Sequence, residues 1–398
     1  AGTEGMNTRA SMMAKSATTI ASTRTATIDK RSMKMAAMSR TVTSLPRSSL
    51  ASLRVAGLGP HLNGRGVRNP TRRRQLKRRW KGTSFNSIFP SRLSPCVDPG
   101  FEYTHLEVNG QLWRFIPGTG ENVSIVVDPL VGELDFSLPE SIYSAKPKVL
   151  RDPHETIERI VESQPTAILL TQSLDDHTHP PTLRKLKERL FSRETQSNPA
   201  PLIIAPPSAK EKLLGIFGDL PSARDSIRIL KPGESLQLGE STSIQATSGS
   251  LVGPPWQNPE NGYVVESKPL SLSVYYEPHN DVDPKTKLMG VVADIVIVPM
   301  REQLLTPFFK LVYGASRAVS LAKYLKAKHV IPLRNGEIEA RGILSELIQS
   351  EDSVREVAGK LYFRGVRIPR GVNVINNRPG VPVMVETVIT DAGNDRET

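Results

Sequence analysis

The stretch Thr166–Leu183 restricts what this chain can fold into more than any other. Ala167–Leu170 is a short apolar run, too short for a helix and suited to a buried strand. It breaks at once into polar residues that have no reason to be packed: Gln172, Asp175, Asp176, His177 and His179. Pro180 and Pro181 then set the first turn of a helix whose Leu183, Leu186 and Leu190 share one face. A strand that ends in carboxylates and imidazoles at the start of a helix is a natural place for a site.

The same reading extends along the body of the chain. Asn109-Gly110, flanked by alternating apolar residues over 103–116, predicts a hairpin. Ser124–Asp128, Leu202–Ala205, Ile227–Leu230, Ser235–Leu238, Thr242–Thr247, Tyr263–Val265, Leu270–Tyr276, Asp294–Val298, His329–Leu333 and Val381–Val385 read as strands. Helices are predicted over 150–163, Ser208–Phe217 with Ser208 as cap, 315–327, Ile338–Ile348 and Ser353–Phe363. Hairpins come first and strands later alternate with helices, twice over. Two sheets face to face with helices outside satisfy that order, an α/β four-layer αββα sandwich.

Charge separates this body from what precedes it. Residues 1–96 hold 19 of the 52 Lys/Arg but 2 of the 40 Asp/Glu, so the remainder is acidic by five. The basic pI of the whole chain is therefore no sign that the folded part binds nucleic acid. Residues 1–95 are rich in Ser, Thr, Ala, Met and Arg, which predicts a disordered transit peptide and linker handled by an organellar import machinery. The Ser/Thr excess points to the chloroplast stroma, with the mitochondrion as alternative. Ala1 is not methionine, and translation is expected to begin at Met6 or beyond. The folded domain is expected over 96–390 and a disordered tail over 391–398. The single cysteine, Cys96, excludes a disulfide framework, and no apolar run reaches the length of a membrane span.

The central loop resembles the metal-binding signature of the metallo-β-lactamase fold, His-x-His-x-Asp-His after a strand. Here the frame reads Gln172-Ser173-Leu174-Asp175-Asp176-His177. The resemblance implies that Asp176 and His177 match the pair serving a second metal, while Gln172 and Leu174 replace two imidazoles of the first. Ser248-Gly249-Ser250 lacks the imidazole implied after its strand. Glu277-Pro278-His279 lies where a bridging aspartate is implied, and Arg334 follows Ile331-Pro332-Leu333 in place of a closing histidine. Together with Gly253-Pro254-Pro255-Trp256-Gln257, this variant set resembles a plant and algal branch of plastid metallo-β-lactamase-like proteins.

Three functions follow as expectations. In the first, Arg334 takes the place of a metal and pairs with Asp176, and with Glu277. Classical two-zinc hydrolysis is then weak or absent, and Arg334, Gln172 and Trp256 bind a small anionic ligand. In the second, a single divalent metal, zinc, sits in a rebuilt site. Asp175, His177, His179, Glu277 and His279 supply donors, and Asp175 or Asp176 acts as base in ester or phosphoester hydrolysis. In the third, the fold is a non-catalytic scaffold. Simpler roles stand beside these: His179 as the start of a helix, His279 as a turn residue, Trp256 as loop packing, and His105, His154 and His329 as structural residues.

Overall fold

The structure is a computed structural model that describes residues 99–191, 199–250, 260–305, 309–351, 354–357, 360–363 and 365–386. The expected transit peptide, Cys96, Trp256 and the C-terminal tail lie outside the described residues.

One seven-stranded sheet contains β1 (Gly100–His105), β2 (Gln111–Ile116), β3 (Val123–Val127), β5 (Ala167–Leu169), β6 (Leu202–Ala205), β7 (Ile227–Ile229) and β21 (Val383–Glu386). Its order is β21-β1-β2-β3-β5-β6-β7. The other contains β8 (Ser235–Leu238), β9 (Thr242–Ser248), β10 (Asn261–Ser267), β11 (Leu272–Tyr276), β12 (Ile295–Pro299), β15 (His329–Leu333) and β20 (Asn373–Val374). Its order is β20-β15-β12-β11-β10-β9-β8.

The period-two alternation of the strands sorts their side chains into layers. Val123, Ile125 and Val127 of β3 join Trp113, Phe115, Tyr263, Tyr276, Ile295 and Ile297 in a core between the sheets. Val126 points the other way, among Ile157 and Ile160 of α1 (Pro153–Glu162), Leu183 and Leu186 of α2 (Pro180–Leu190), and Leu213 and Phe217 of α3 (Lys210–Phe217). On the far side, Val296 and Val298 meet Ala318, Leu321 and Ala322 of α4 (Ala315–Tyr324). The result is the expected αββα sandwich. Among the described residues, no helix is long and apolar enough to cross a membrane.

A separate lobe lies outside both large sheets. β4 (Ser144–Pro147) pairs antiparallel with β16 (Ile338–Arg341), and β13 (Glu302–Leu305) sits between β14 (Phe309–Val312) and β17 (Ile348–Glu351). A short helix, α5 (Ile343–Leu347), joins β16 to β17. The predicted helix over Ile338–Ile348 is thus strand, short helix and strand. Gly342, at φ 91°, breaks the continuous helix, and β4, nearly two hundred residues upstream, claims the backbone bonds of β16. The second predicted helix is likewise a hairpin of β18 (Val354–Val357) and β19 (Lys360–Phe363).

Two local expectations also change. The β1–β2 hairpin forms, but its left-handed residues are Glu107 (φ 66°) and Val108 (φ 49°) rather than Asn109 and Gly110. The Glu107 carboxylate fixes that turn by accepting the backbone N–H groups of Lys148, Val149 and Leu150 at 2.6–3.1 Å. Ser208 does not cap α3: a 3-10 turn over Pro207–Ala209 precedes the helix, and the Ser208 hydroxyl has no hydrogen-bond partner.

Candidate metal centre

The strand ends of both sheets meet at one edge. After β3 the chain turns at Asp128, which is fully buried with φ 41°. Aspartate tolerates this left-handed conformation better than most residues. One carboxylate oxygen, Oδ1, accepts the backbone N–H of Thr171 at 2.8 Å. The other, Oδ2, accepts the hydroxyls of Thr171 at 2.6 Å and Tyr276 at 3.0 Å, and faces His177 Nδ1 at 3.0 Å. Cross-sheet bonds hold this edge together: Tyr263 donates to the carbonyl of Leu170 at 2.9 Å, and Asn261 N–H to that of Thr171 at 2.9 Å.

Beyond β5 a tight turn places the N–H groups of His177 and Thr178 on the carbonyl of Leu174, at 3.0 and 2.7 Å. It aims the His177 ring at Asp128 on one side and Asp176 on the other. His177 Nε2 lies 3.3 Å from Asp176 Oδ2, and the Asn109 amide nitrogen stands 3.3 Å from the same Nε2. His279, after β11, comes from the opposite sheet, and its ring centroid is 5.2 Å from that of His177. His279 Nδ1 lies 2.7 Å from Glu260 Oε2. One donor atom from each of Asp176, His177 and His279 falls within 4.8 Å of the others. Glu260, Glu277 and His279 form a second, fully adjoining group at the same spacing.

Burial and charge set the protonation of these groups. Burial opposes a charged His177, but the flanking Asp176 and Asp128 overcome it and hold the imidazole well above its usual range. Asp176 is also penalised by burial, yet the His177 cation brings it down to about 2. Burial and the His177 charge lower His279 to about 4. Glu260 is pushed up to about 7 by burial, and Glu277 well up by burial and by Glu260 beside it. Glu277 also accepts the Ser250 hydroxyl at 2.7 Å and the backbone N–H of Asn280.

The sequence-based candidates separate cleanly. Asp176, His177 and His279 come together, with Glu277 adjoining. Asp175 turns away to an ion pair with Lys212, whose ammonium also donates to the Ser173 carbonyl at 2.6 Å. Among the described residues it belongs to neither group of clustered donors. His179 occupies the N-cap position of α2, where Nε2 donates to the Glu133 carbonyl at 3.1 Å and Nδ1 lies 2.7 Å from the Thr182 hydroxyl. Both of its ring nitrogens are thus engaged within the fold. Gln172 is fully buried, and neither polar atom of its amide has a hydrogen-bond partner.

The expected pairing of Arg334 with Asp176 gives way to nearer partners. The guanidinium bonds Glu337, three residues on, at 3.4 Å and Asn376 at 3.0 Å. A short local loop and β20 deliver those acceptors at much smaller entropic cost than a reach across the site. Asp128, Asn109 and Glu260 complete the centre. Asp128 showed itself only as a polar residue at a strand end, whereas Glu260 carried no pattern at all. Its position depends on Gly249, where a Cβ would lie 2.6 Å from the Glu260 carbonyl oxygen.

The donor set fits one metal better than two. Among the described residues, Asp176, His177 and His279 form one group of donors and Glu260, Glu277 and His279 another that shares its imidazole, and neither Leu174 nor Arg334 can ligate. What remains is two imidazoles and a carboxylate, a known set for a single transition metal with open positions. Asp176 Oδ1, Glu260 Oε1 and Asn109 Oδ1 are buried with no hydrogen-bond partner. Such atoms are costly unless something else satisfies them.

A family model described as "Beta-lactamase superfamily domain" matches residues 114–334. No curated protein matches the chain. Among solved structures, the metallo-beta-lactamase fold protein YhfI from Bacillus subtilis is similar with a TM-score of 0.41 and 12% identity, over 72% of this chain and 100% of that one. The isothiocyanate hydrolase from Delia radicum gut bacteria gives 0.40 and 16%, over 58% and 84% of the respective chains. CmlA, a diiron beta-hydroxylase from Streptomyces venezuelae, gives 0.39 and 14%, over 60% and 46%. The likeness is one of fold alone.

Proposed function

We propose that this chain, which belongs to the beta-lactamase superfamily, is a hydrolase that works with a single divalent metal held by Asp176, His177 and His279. The observation that carries this reading is the matched support behind the two imidazoles. Asp128 takes Nδ1 of His177 and Glu260 takes Nδ1 of His279, both from buried positions. A carboxylate on Nδ1 fixes the tautomer and leaves Nε2 as the donor. Nε2 of each ring is thereby the atom left to face a metal beside Asp176, and at His177, where Asp176 and the Asn109 amide stand 3.3 Å away, a bound metal would displace the proton.

A divalent cation held by these residues would polarise a carbonyl oxygen and make water a stronger nucleophile. The chain's own residues orient the site and control its protons. Tyr276 and Thr171 hold the Asp128 carboxylate, which keeps the His177 ring from turning. Burial and the neighbouring Glu260 favour the neutral form of Glu277, which lowers the negative charge behind His279. Asp176 faces the site as a ligand, and a separate carboxylate base is not required.

Metal analysis of protein purified without chelator, with zinc titration by calorimetry, tests this. One equivalent is expected, lost in both His177→Asn and His279→Asn while the far-UV circular dichroism is kept. Two equivalents, or none, would overturn the reading. A binding site for a small anion at Arg334 is less favoured, because Glu337 and Asn376 already engage that guanidinium.

The basic, acid-poor composition of residues 1–95 supports import into the plastid by way of a cleaved N-terminal segment, leaving a folded domain from about residue 96. A fluorescent protein fused behind residues 1–95 is expected in the chloroplast. Cytosolic or mitochondrial fluorescence would refute it.

A further inference from the structure

A cavity of about 440 Å³ opens beside the metal donors. That volume falls within the range of roughly 300–1,000 Å³ typical of small-molecule sites. One side of its wall is largely apolar and comes from the separate lobe, with Leu134, Phe136 and Tyr143 among its residues. The polar end is built from Asn109, Asp176, His279 and Asn335. Gln303 and hydroxyl groups on the lobe complete the polar lining, and these can donate or accept alike.

The two asparagines have no such freedom, because their NH2 groups are already committed. Asn109 sits on the hairpin clamped by Glu107, and its Nδ2 donates to the backbone carbonyl of Asp176 at 3.2 Å. Asn335, two residues beyond β15, donates Nδ2 to the carbonyl of Pro278 at 3.2 Å. Turning either amide over would press its oxygen against a carbonyl oxygen. Oδ1 therefore stays an acceptor in both residues, which are only 2% and 8% exposed, and in both it has no hydrogen-bond partner within the chain. Asp176 Oδ1 is a third such atom, but a metal in the proposed site would take that carboxylate up. Two fixed acceptors at one end of a cavity call for donors on whatever binds there, whatever its net charge.

We infer that Asn109 and Asn335 select the ligand of this cavity, reading two N–H or O–H donors such as those of a primary amide, a urea or a vicinal diol, with the apolar remainder of the molecule against the lobe. The ligand's place beside a metal rests on the single-metal reading, whereas its recognition rests on the two asparagines alone. A molecule of the same shape without the donors leaves buried oxygens unpaired, and a site built to bond an N–H or O–H group rejects such an analogue. One bond so lost weakens binding about 5- to 100-fold.

NMR titration of the full chain, both zinc-loaded and metal-free, with hexanamide, hexane-1,2-diol and heptan-2-one tests this. Heptan-2-one matches hexanamide in chain and carbonyl, carries a methyl group in place of the NH2, and is the more apolar of the two. Hexanamide is nonetheless expected to bind about 5- to 100-fold more tightly. A gap of that kind for the amide alone, or for the diol alone, upholds the pair and assigns the donor as N–H or O–H. Asn109→Leu and Asn335→Leu are each expected to narrow the gap while heptan-2-one binds as before, which an unfolded variant would not do. The wild-type comparison stands without the variants. Heptan-2-one binding as tightly as both donors, no saturable binding of any of the three, or a gap that survives both substitutions would overturn the inference. The two readings fail separately. One zinc without donor preference sinks the ligand class alone, and donor preference without metal uptake keeps the asparagine pair while sinking the metal.

Discussion

Replacing Asp128 by asparagine isolates the role of one buried charge. The side chains have the same shape, and asparagine accepts the left-handed backbone at φ 41° as readily as aspartate does. The amide oxygen can keep the backbone N–H of Thr171, now 2.8 Å from Oδ1. Its NH2 then takes the place of Oδ2, which accepts two hydroxyls and faces His177 Nδ1. The hydroxyls of Thr171 and Tyr276 lose a charged acceptor. A hydrogen bond to a charged group contributes about 1.5–3 kcal/mol, so a stability loss of about 3 kcal/mol is expected after partial rearrangement. The effect on His177 is of another kind. Facing an N–H donor, Nδ1 must become the acceptor, which moves the proton to Nε2 and removes the lone pair that would bind metal. Loss of such a supporting carboxylate typically weakens metal binding about 10–100-fold. Urea unfolding and zinc calorimetry on the same preparation would measure both. Zinc affinity within about twofold of wild type in a folded D128N protein would refute the carboxylate's part in fixing His177.

Glu107→Gln should cost about 3 kcal/mol in urea unfolding, because an amide NH2 would face backbone N–H donors of 148–150 now held by both carboxylate oxygens; a change under 0.5 kcal/mol would count against that role. Gly249→Ala should lower stability by about 1–3 kcal/mol and weaken zinc binding, since its Cβ would meet the Glu260 backbone at 2.6–2.8 Å; unchanged thermal unfolding and zinc affinity would disprove the contact's importance. Asp294 gives a pH signature: burial works against its charge, but Lys328 and Ser273 prevail and hold it below its ordinary 3.8. Its contribution is therefore complete above that value and disappears as pH falls through the lower, folded one. Asp294→Asn should be destabilised at neutral pH, with the gap to wild type closing below about pH 4; a gap that widens on acidification would reverse the sign of the argument.

The large sheets could be read from the chain because their signals are local. Val123, Ile125 and Val127 alternate with Ser124 and Val126, and that two-residue period states both the strand and its two faces. Asp176 and His177 were visible for a similar reason, since they stand in a short motif at a strand end. The lobe was not visible. Leu344, Leu347 and Ile348 have helical spacing, and only pairing with the distant residues of β4 makes a strand of Ile338–Arg341 before them. Glu260 was missed because β9–β10 pairing, rather than its neighbours in sequence, brings it against His279. Arg334 was assigned a distant partner by charge alone, while Glu337 lay one helical step away. The partner of Asp175 was hidden likewise: nothing near it in sequence announces Lys212.

The hydrophobic cluster around Tyr143 gives the lobe its own foundation. Seven of its nine side chains come from 134–147 and 338–351 rather than from the strands of the two large sheets. Substitution within 134–147 and 338–351 is therefore expected to reshape the wall of the neighbouring cavity while leaving the order of strands in the two large sheets as it is.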